Sequence, residues 1–349
     1  MFTSAYDIGP IRPPSEASSL LIRVNRNCPW NKCEFCGVYK NSKFEAKSVE
    51  NVKDDIDRAA QFYGTSAETI SRAFLQDADA LIMKTDDLLD IIKYLKGKFP
   101  SIKRITTYAR TPTLARKSID ELKQLADAGL SRIHTGLESG HGPLLELVKK
   151  GATAELQIKA GKNVKQAGIS LSEYIMPGLG GRGMSREHAL ETARVLNAID
   201  PDFIRIRSTS VQPGTPMFEK MEAGEFEPLT DVETVEELRL LIENLEGITS
   251  KLVSDHMLNL LMEVKGTFPK DKQKMLNVID RFLGLPGDEK KLFMVGVRLG
   301  IMTNIDHLKL PTARAQAEEM LERIRKEYIK PGDNVTLEDF LREIFHGRI

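Results

Sequence analysis

Short apolar runs alternate with longer, helix-like stretches through the first two hundred residues of this chain. Six runs are predicted as strands, at 19–24, 69–75, 103–108, 132–137, 169–176 and 203–207. Between them, apolar residues recur every three or four positions at 48–62, 86–99, 118–128, 143–150, 153–167 and 185–198, which indicates helices. Such alternation predicts an α/β fold with a parallel sheet, and right-handed crossovers would curl it into a barrel or part-barrel. Six units are too few for a closed eight-unit barrel.

The pattern changes after about residue 225. We predict only helices there, at 232–245, 252–264, 271–283, 290–299, 312–328 and 337–345. Before the first strand, Pro10, Pro13 and Pro14 oppose regular structure. We therefore divide the chain into a lead-in at 1–18, an α/β domain at 19–225 and an all-helical region at 226–349.

All three cysteines lie in one nonapeptide, Cys28-Pro-Trp-Asn-Lys-Cys33-Glu-Phe-Cys36, just after the first predicted strand. Their C-x4-C-x2-C spacing suits thiolate ligation of an iron–sulfur cluster. A [4Fe–4S] cube held by three cysteines keeps one iron open to a small molecule. A structural zinc site is the alternative, but it would need a fourth ligand, and the first histidine is His134.

The nonapeptide resembles the radical S-adenosylmethionine (radical SAM) enzymes, whose usual motif is C-x3-C-x2-C with an aromatic residue before the last cysteine. Phe35 takes the aromatic place, and the first gap holds one residue more than the usual pattern. The resemblance implies a partial (β/α)6 TIM-type barrel. It also implies that Cys28, Cys33 and Cys36 bind a [4Fe–4S] cluster whose free iron takes the amino and carboxylate groups of S-adenosylmethionine (SAM).

The segment after the fourth strand, Gly136-Leu-Glu138-Ser-Gly140, resembles the coproporphyrinogen-dehydrogenase-like, methylthiotransferase-like and Elongator-like branch of these enzymes. Lys149, Lys150, Gly151 and Thr153 continue the likeness. The branch implies that Glu138 binds the ribose hydroxyls of SAM, which a carboxylate accepts well. The alternative is a solvated loop glutamate.

Other strand ends supply further candidates, because chemistry gathers at the carboxyl ends of parallel strands. By resemblance, Gln76, Asp77 or Asp79 would hold the SAM amino group, although the glycines usual there are missing and each aspartate could instead cap a helix or turn. Backbone along the adenine would come from Pro177, Gly178 and Leu179. Candidates for contact with the substrate are Tyr108, Arg110 and Arg207, since an arginine can grip a carboxylate.

Composition narrows the substrate and the location. Lys+Arg and Asp+Glu both number 50, so no basic excess favours nucleic acid. There is no long apolar run for a membrane span, and three clustered cysteines suit a reducing cytoplasm. We expect a small organic substrate, an electron donor of flavodoxin or ferredoxin type, and oxidoreductase, lyase or isomerase chemistry. The alternatives are a non-catalytic haem or cluster carrier and a zinc-stabilised binding protein; the oligomeric state is left open.

Overall fold

The computed structural model describes residues 5–329 and 336–344, and these fall into two compact units. The first unit comprises the described residues up to Leu137 together with Leu145–Tyr174. The second comprises Glu138–Leu144 and the described residues from Ile175 onward. The boundaries between these units do not coincide with the predicted domain boundary at residue 225. The predicted division into a lead-in, an α/β domain and a helical region stays a prediction.

The strands of the first unit are β1 Leu20–Arg23, β2 Asn25–Arg26, β3 Glu45–Ala46, β4 Arg72–Gln76, β5 Arg104–Tyr108, β6 Leu130–Glu138 and β7 Ser170–Ile175. Its sheet has the strand order β1-β4-β5-β6-β7, and the first four of these run in parallel. Pairing of Leu20 with Ala73 and of Arg72 with Arg104 sets the register of the first three. A separate two-stranded ribbon, β2 with β3, flanks the cysteine segment.

Helices follow these strands where the apolar spacing predicted them. Ser48 caps the first through the backbone of Asn51, and a capping box of Ser118 and Glu121 begins the fourth. The helices are α1 Val49–Tyr63, α2 Thr85–Lys98, α3 Thr111–Leu114, α4 Ile119–Ala128, α5 Gly142–Leu147 and α6 Ala154–Gln166. The core between strands and helices is apolar, with Ile22, Phe74 and Ile105 fully buried.

The second unit holds three strands and most of the longer helices. Strand β8 Phe203–Ile206 pairs in parallel with β9 Lys251–Val253, which pairs antiparallel with β10 Gly266–Thr267. The helices are α7 Gly181–Ile199, α8 Pro216–Glu222, α9 Asp231–Glu243, α10 Lys272–Leu283, α11 Gly287–Arg298, α12 Pro311–Glu327 and α13 Leu337–Ile344. All six predicted strands are therefore present, and predicted position 345 lies outside the described residues.

The prediction of an all-helical region after residue 226 is wrong at 252–264. That segment begins in strand β9 and continues as turns. The side chain of Asn259 donates to the carbonyl of Ile206 at 2.8 Å, and Ser254 donates to the carbonyl of Leu261 at 2.9 Å. Hydrogen bonds from these side chains to distant backbone carbonyls take the place of the hydrogen bonds of a helix. The spacing of a short apolar run does not distinguish a helix from a strand followed by turns.

Candidate active site

The three cysteines lie on one loop of the first unit, and all are half-buried. The backbone N–H of Cys36 donates to the carbonyl of Cys33 at 3.4 Å, and that of Asn31 donates to the sulfur of Cys28 at 3.4 Å. Within the described residues, no three cysteine, histidine or acidic side chains surround a single metal-ion position. Three partly exposed thiols on nine residues form the donor set that a cysteine-ligated cluster needs, so the loop fits such a group.

Asp77 anchors both ends of this loop. Its buried carboxylate accepts from the guanidinium of Arg23 at 2.8 and 3.2 Å and from the backbone N–H of Asn27 at 3.3 Å, both before Cys28. Tyr39, three residues after Cys36, donates its hydroxyl to the other oxygen. Burial, followed by the charge of Asp77, raises the pKa of Tyr39, so the hydroxyl stays a donor.

The other two candidates at the end of β4 also bind protein groups. Gln76 exchanges bonds with the backbone of Gly9 and donates to the carbonyl of Ile11, which ties down the lead-in. Asp79 accepts from the backbone of Arg110 at 3.2 Å and from the hydroxyl of Thr113 at 2.6 Å, and burial raises its pKa to about 6. The carboxylate of Asp79 thus binds donors at the start of α3 and makes no capping bond at its own turn. SAM contacts by Gln76, Asp77 and Asp79 stay predictions.

A second anchor for the cysteine loop is the backbone at 148–151. Trp30 donates its indole N–H to the carbonyl of Lys149 at 2.7 Å. The backbone N–H of Glu34 donates to the carbonyl of Val148 at 3.0 Å, and its carboxylate pairs with the Lys149 ammonium at 2.8 Å. A β-carbon built on Gly151 would lie 2.7 Å from the Trp30 ring, so glycine permits this close approach.

Three candidates of the first unit contact aromatic or cationic side chains: Phe35, Tyr108 and Arg110. Arg110 donates to the carbonyl of Lys150 at 3.2 Å and stacks its guanidinium 5.1 Å from the centre of a Trp30 ring. The ammonium of Lys150 lies 5.9 Å from the centre of the Phe35 ring. Tyr108 packs edge-on against Phe74, with ring centres 5.1 Å apart. Substrate roles for Tyr108 and Arg110 stay predictions.

In the second unit, two of the predicted SAM-binding segments are held together. Glu138 is half-buried with a left-handed φ of 60°, and its carbonyl accepts from the backbone of Met176 at 3.0 Å. The imidazole of His188 bridges the segments, 2.8 Å from the hydroxyl of Ser139 and 3.1 Å from the carbonyl of Met176. A β-carbon on Gly140 would lie 2.2 Å from a backbone oxygen of α7, so only glycine packs there.

The backbone at 177–179 is fixed from two sides. The N–H of Gly178, whose φ is 86°, donates to the carboxylate of Glu237 at 2.7 Å. The carbonyl of Pro177 accepts from the backbone of Thr209 at 2.8 Å. Leu179 is fully buried, so its side chain is committed to the core. Adenine contact by this segment stays a prediction.

Glu237 and His188 are buried ionisable residues that the sequence did not single out. Their Oε1 and Nε2 atoms lie 3.5 Å apart. Burial raises the pKa of Glu237 to about 7 and lowers the pKa of His188 to about 4. The second oxygen of Glu237 has no hydrogen-bond partner among the described residues. The available signal was a Glu one helical turn before the apolar Leu241, on a face of the predicted helix that also buries apolar residues.

The two arginines at the end of β8 differ in their surroundings. Arg205 is 4% exposed and pairs with Asp255 at 2.5 Å. Arg207 is half-buried, and in the described part of the chain it forms no ion pair. Burial, with a smaller contribution from the charge of Arg207, lowers the pKa of nearby His256 to about 4, which leaves that imidazole neutral. A substrate role for Arg207 stays a prediction.

The parallel α/β fold and the three-cysteine loop together define a class of cluster-binding enzymes. A model of the Radical SAM superfamily matches residues 22–196, and the chain belongs to this superfamily.

The chain is also similar to individual proteins of known sequence or structure. The chain is 26% identical over 200 residues to a tRNA uridine(34) acetyltransferase of Methanocaldococcus jannaschii, a match that covers 54% of this chain but only 36% of that protein. It is 26% identical over 239 residues to a biotin synthase of Thermotoga neapolitana, covering 62% of this chain and 82% of the relative. The solved structure of the cobalamin-dependent SAM radical enzyme OxsB matches with a TM-score of 0.51 at 15% identity, covering 93% of this chain and 57% of the other, and shows the fold alone.

Membership confirms four predictions. The fold is of the partial TIM-type barrel kind, the protein is an enzyme, and its cofactors are a [4Fe–4S] cluster and SAM. The zinc-stabilised binding protein is therefore wrong, and a non-catalytic carrier is not supported. In the helices of the described residues, no stretch is both long and apolar enough to cross a membrane.

Proposed function

We propose that Cys28, Cys33 and Cys36 bind the [4Fe–4S] cluster of this radical SAM enzyme. The observation that carries this proposal is that these are all the cysteines of the chain, on one loop with two independent anchors. When bound, the cluster supplies the electron that splits SAM into methionine and a 5′-deoxyadenosyl radical. The loop would hold the thiols, with Trp30 and Asp77 fixing its position on the first unit. An electron donor of flavodoxin or ferredoxin type would reduce the cluster.

For SAM itself, Glu138 is the strongest candidate. The residue is half-buried and lies at a left-handed φ of 60° at the end of β6. A carboxylate accepts two hydroxyl donors, as the 2′ and 3′ hydroxyls of a ribose require. Backbone atoms of Pro177 and Gly178 would lie along the adenine, in a conformation that Glu237 and Thr209 maintain.

The substrate that we favour is a small organic anion. Arg207 supports this proposal because it is a half-buried cation without an ionic partner in the part of the chain that the structure describes. A planar guanidinium binds a carboxylate in a bidentate manner. Abstraction of a hydrogen atom from such a substrate needs orientation and exclusion of water, which the protein supplies.

A second candidate is an RNA substrate. One relative is named a tRNA uridine(34) acetyltransferase, and this chain spans about a third of its length. In this chain, Lys32 and Arg110 both lie over the Trp30 ring, and cations grouped around an aromatic side chain are typical of surfaces that bind single-stranded nucleic acid. The balanced net charge favours the small anion instead.

The experiment uses anaerobically reconstituted, dithionite-reduced protein. We expect a [4Fe–4S]⁺ electron paramagnetic resonance signal that changes when SAM is added, together with slow 5′-deoxyadenosine release. Small carboxylates and total tRNA would then be compared as stimulants of that release. In Arg207→Met, stimulation by a carboxylate should be lost while the SAM-dependent signal remains; the surface variant Arg194→Gln is the control. Stimulation by tRNA alone would favour the second candidate, and a signal indifferent to SAM would contradict the proposal.

A further inference from the structure

The first cysteine gap holds one residue more than the pattern of the family. Cys28 and Cys33 are separated by four residues, and Asn31 is the one with a left-handed backbone, at a φ of 48°. Asparagine tolerates this conformation better than most side chains do. The additional length is therefore taken up by a turn at Asn31, inside the first gap.

Asn31 also makes contacts beyond its own turn. Its backbone N–H donates to the sulfur of Cys28 at 3.4 Å. Its side-chain amide donates to the carbonyl of Tyr39 at 2.6 Å and to that of Ser42 at 3.3 Å. Because both partners are carbonyls, the amide nitrogen must be the atom that faces them.

These contacts connect the two sides of the cysteine loop. Asn31 lies between the first and second cysteines, and residues 39–42 follow the third. Tyr39 is itself fixed, since its hydroxyl binds the buried carboxylate of Asp77. The position of the Cys28 sulfur is therefore coupled through Asn31 to the scaffold that holds the opposite end of the loop.

We propose that Asn31 is a positioning residue for the cluster, which makes the four-residue gap compatible with ligation by all three cysteines. It fixes the turn across to residues 39–42, and it directs an N–H group at the Cys28 thiolate. Hydrogen bonds to cluster sulfurs stabilise the reduced, more negative state and so raise the reduction potential. With Asn31 in place, the cluster would be released more slowly and would have a less negative reduction potential.

A matched control lies in the same loop. Asn27 also has a left-handed backbone, with a φ of 66°, and it immediately precedes Cys28. Its N–H, however, donates to Asp77 at 3.3 Å and not to a cysteine sulfur, and its amide donates to the carbonyl of Lys43 at 2.5 Å. Asn27 and Asn31 therefore share residue type and conformation, and differ in the bond to a thiol.

The experiment compares Asn31→Gly, Asn31→Asp and Asn27→Gly as reconstituted, SAM-free proteins. Glycine keeps the left-handed turn, and aspartate keeps the shape but cannot donate to the carbonyls. We expect four irons per chain in each variant when freshly loaded. Both variants keep the backbone N–H of residue 31 but lose the side-chain bonds to the carbonyls of Tyr39 and Ser42 that hold this N–H at the Cys28 sulfur. Both should therefore show a more negative midpoint potential by electron paramagnetic resonance titration. They should lose iron to a chelator about ten-fold faster, the factor expected for one or two lost hydrogen bonds.

In Asn27→Gly, the potential should match that of the wild type. Equal potentials in wild type and Asn31→Gly, or an equal shift in Asn27→Gly, would overturn the proposal. Circular dichroism of the apoproteins shows whether a variant has folded. Because no substrate or SAM enters these measurements, their result does not depend on the proposed substrate or on Glu138.

Discussion

Replacement of Gly151 by alanine tests whether the cysteine loop is really held by the backbone at 148–151. Gly151 has a φ of 71°, in the left-handed region. A β-carbon there would lie 2.7 and 2.8 Å from two ring carbons of Trp30. Either the alanine backbone or the indole must move, and movement of the indole breaks its bond to the Lys149 carbonyl.

Two contributions set the expected loss of stability. A left-handed backbone costs an alanine about 1–2 kcal/mol. Overpacking of a close contact adds about 1–3 kcal/mol. Gly168 separates the two contributions, because its φ is 78° and an added β-carbon would have nothing within 4 Å. We therefore expect Gly168→Ala to cost about 1–2 kcal/mol, and Gly151→Ala about 2–5 kcal/mol.

The assay is urea unfolding of the apoproteins, followed by circular dichroism and by fluorescence. Trp30 is the only tryptophan of the chain, so its emission reports this contact directly. Gly151→Ala should shift the native emission to longer wavelength and lower the iron content after reconstitution, whereas Gly168→Ala should change neither. Equal free energies of unfolding for the two variants, with unchanged emission, would refute the idea that Trp30 docks the loop at Gly151.

Three further predictions concern buried carboxylates and the SAM site. Asp77→Ala should destabilise the apoprotein by about 3–5 kcal/mol in urea unfolding, because Arg23, Asn27 and Tyr39 lose the buried acceptor that they share, although Arg23 keeps its ion pair with Asp7; an unchanged midpoint would contradict this. Glu138→Ala should weaken SAM binding about 10–100-fold in equilibrium dialysis, the effect of losing bonds to a charged group, with iron content unchanged; unchanged affinity would remove Glu138 from the site. Burial raises the pKa of Glu237 to about 7, so the folded protein keeps a proton that the unfolded chain loses near pH 4.3, and this residue lowers stability as pH rises between these values. Glu237→Gln should therefore gain stability relative to wild type from pH 5 to pH 7, and a difference independent of pH would rule the mechanism out.

Periodicity was enough to predict the strands and most helices, because each buries one face against its neighbours. It failed at 252–264, where Asn259 and Ser254 satisfy backbone groups far away in the sequence. The cysteine motif was equally readable, because three thiols within nine residues have few chemical uses. The contacts that hold the motif in place could not be predicted from the sequence. Arg23 and Tyr39 both bind the carboxylate of Asp77, which is far from each of them along the chain.

Several residues for which the resemblance implied SAM contacts have other contacts in the structure. Asp77 and Asp79 are buried and bind protein donors, and Leu179 is buried in the core. Side chains that already have partners gain little by exchanging them for a ligand, since the old partners would be left unsatisfied. Asp77 and Asp79 are therefore weaker candidates for direct contact with SAM than their place in the motif indicates, and SAM contacts by Glu138 and by the backbone at 177–179 stay predictions.

The glycines of the motifs have a related physical meaning in this chain. Gly140 allows the segment after Glu138 to lie against the backbone of α7, and Gly151 allows the Trp30 ring to lie against the turn after Lys150. In both places a β-carbon would come within 3 Å of another atom. The glycine therefore allows two segments to approach closely, in addition to any part it has in a turn. The motif glycines therefore act as spacers for the segments that bear the thiols and Glu138. Substitutions there should weaken cofactor binding without removing any ligand.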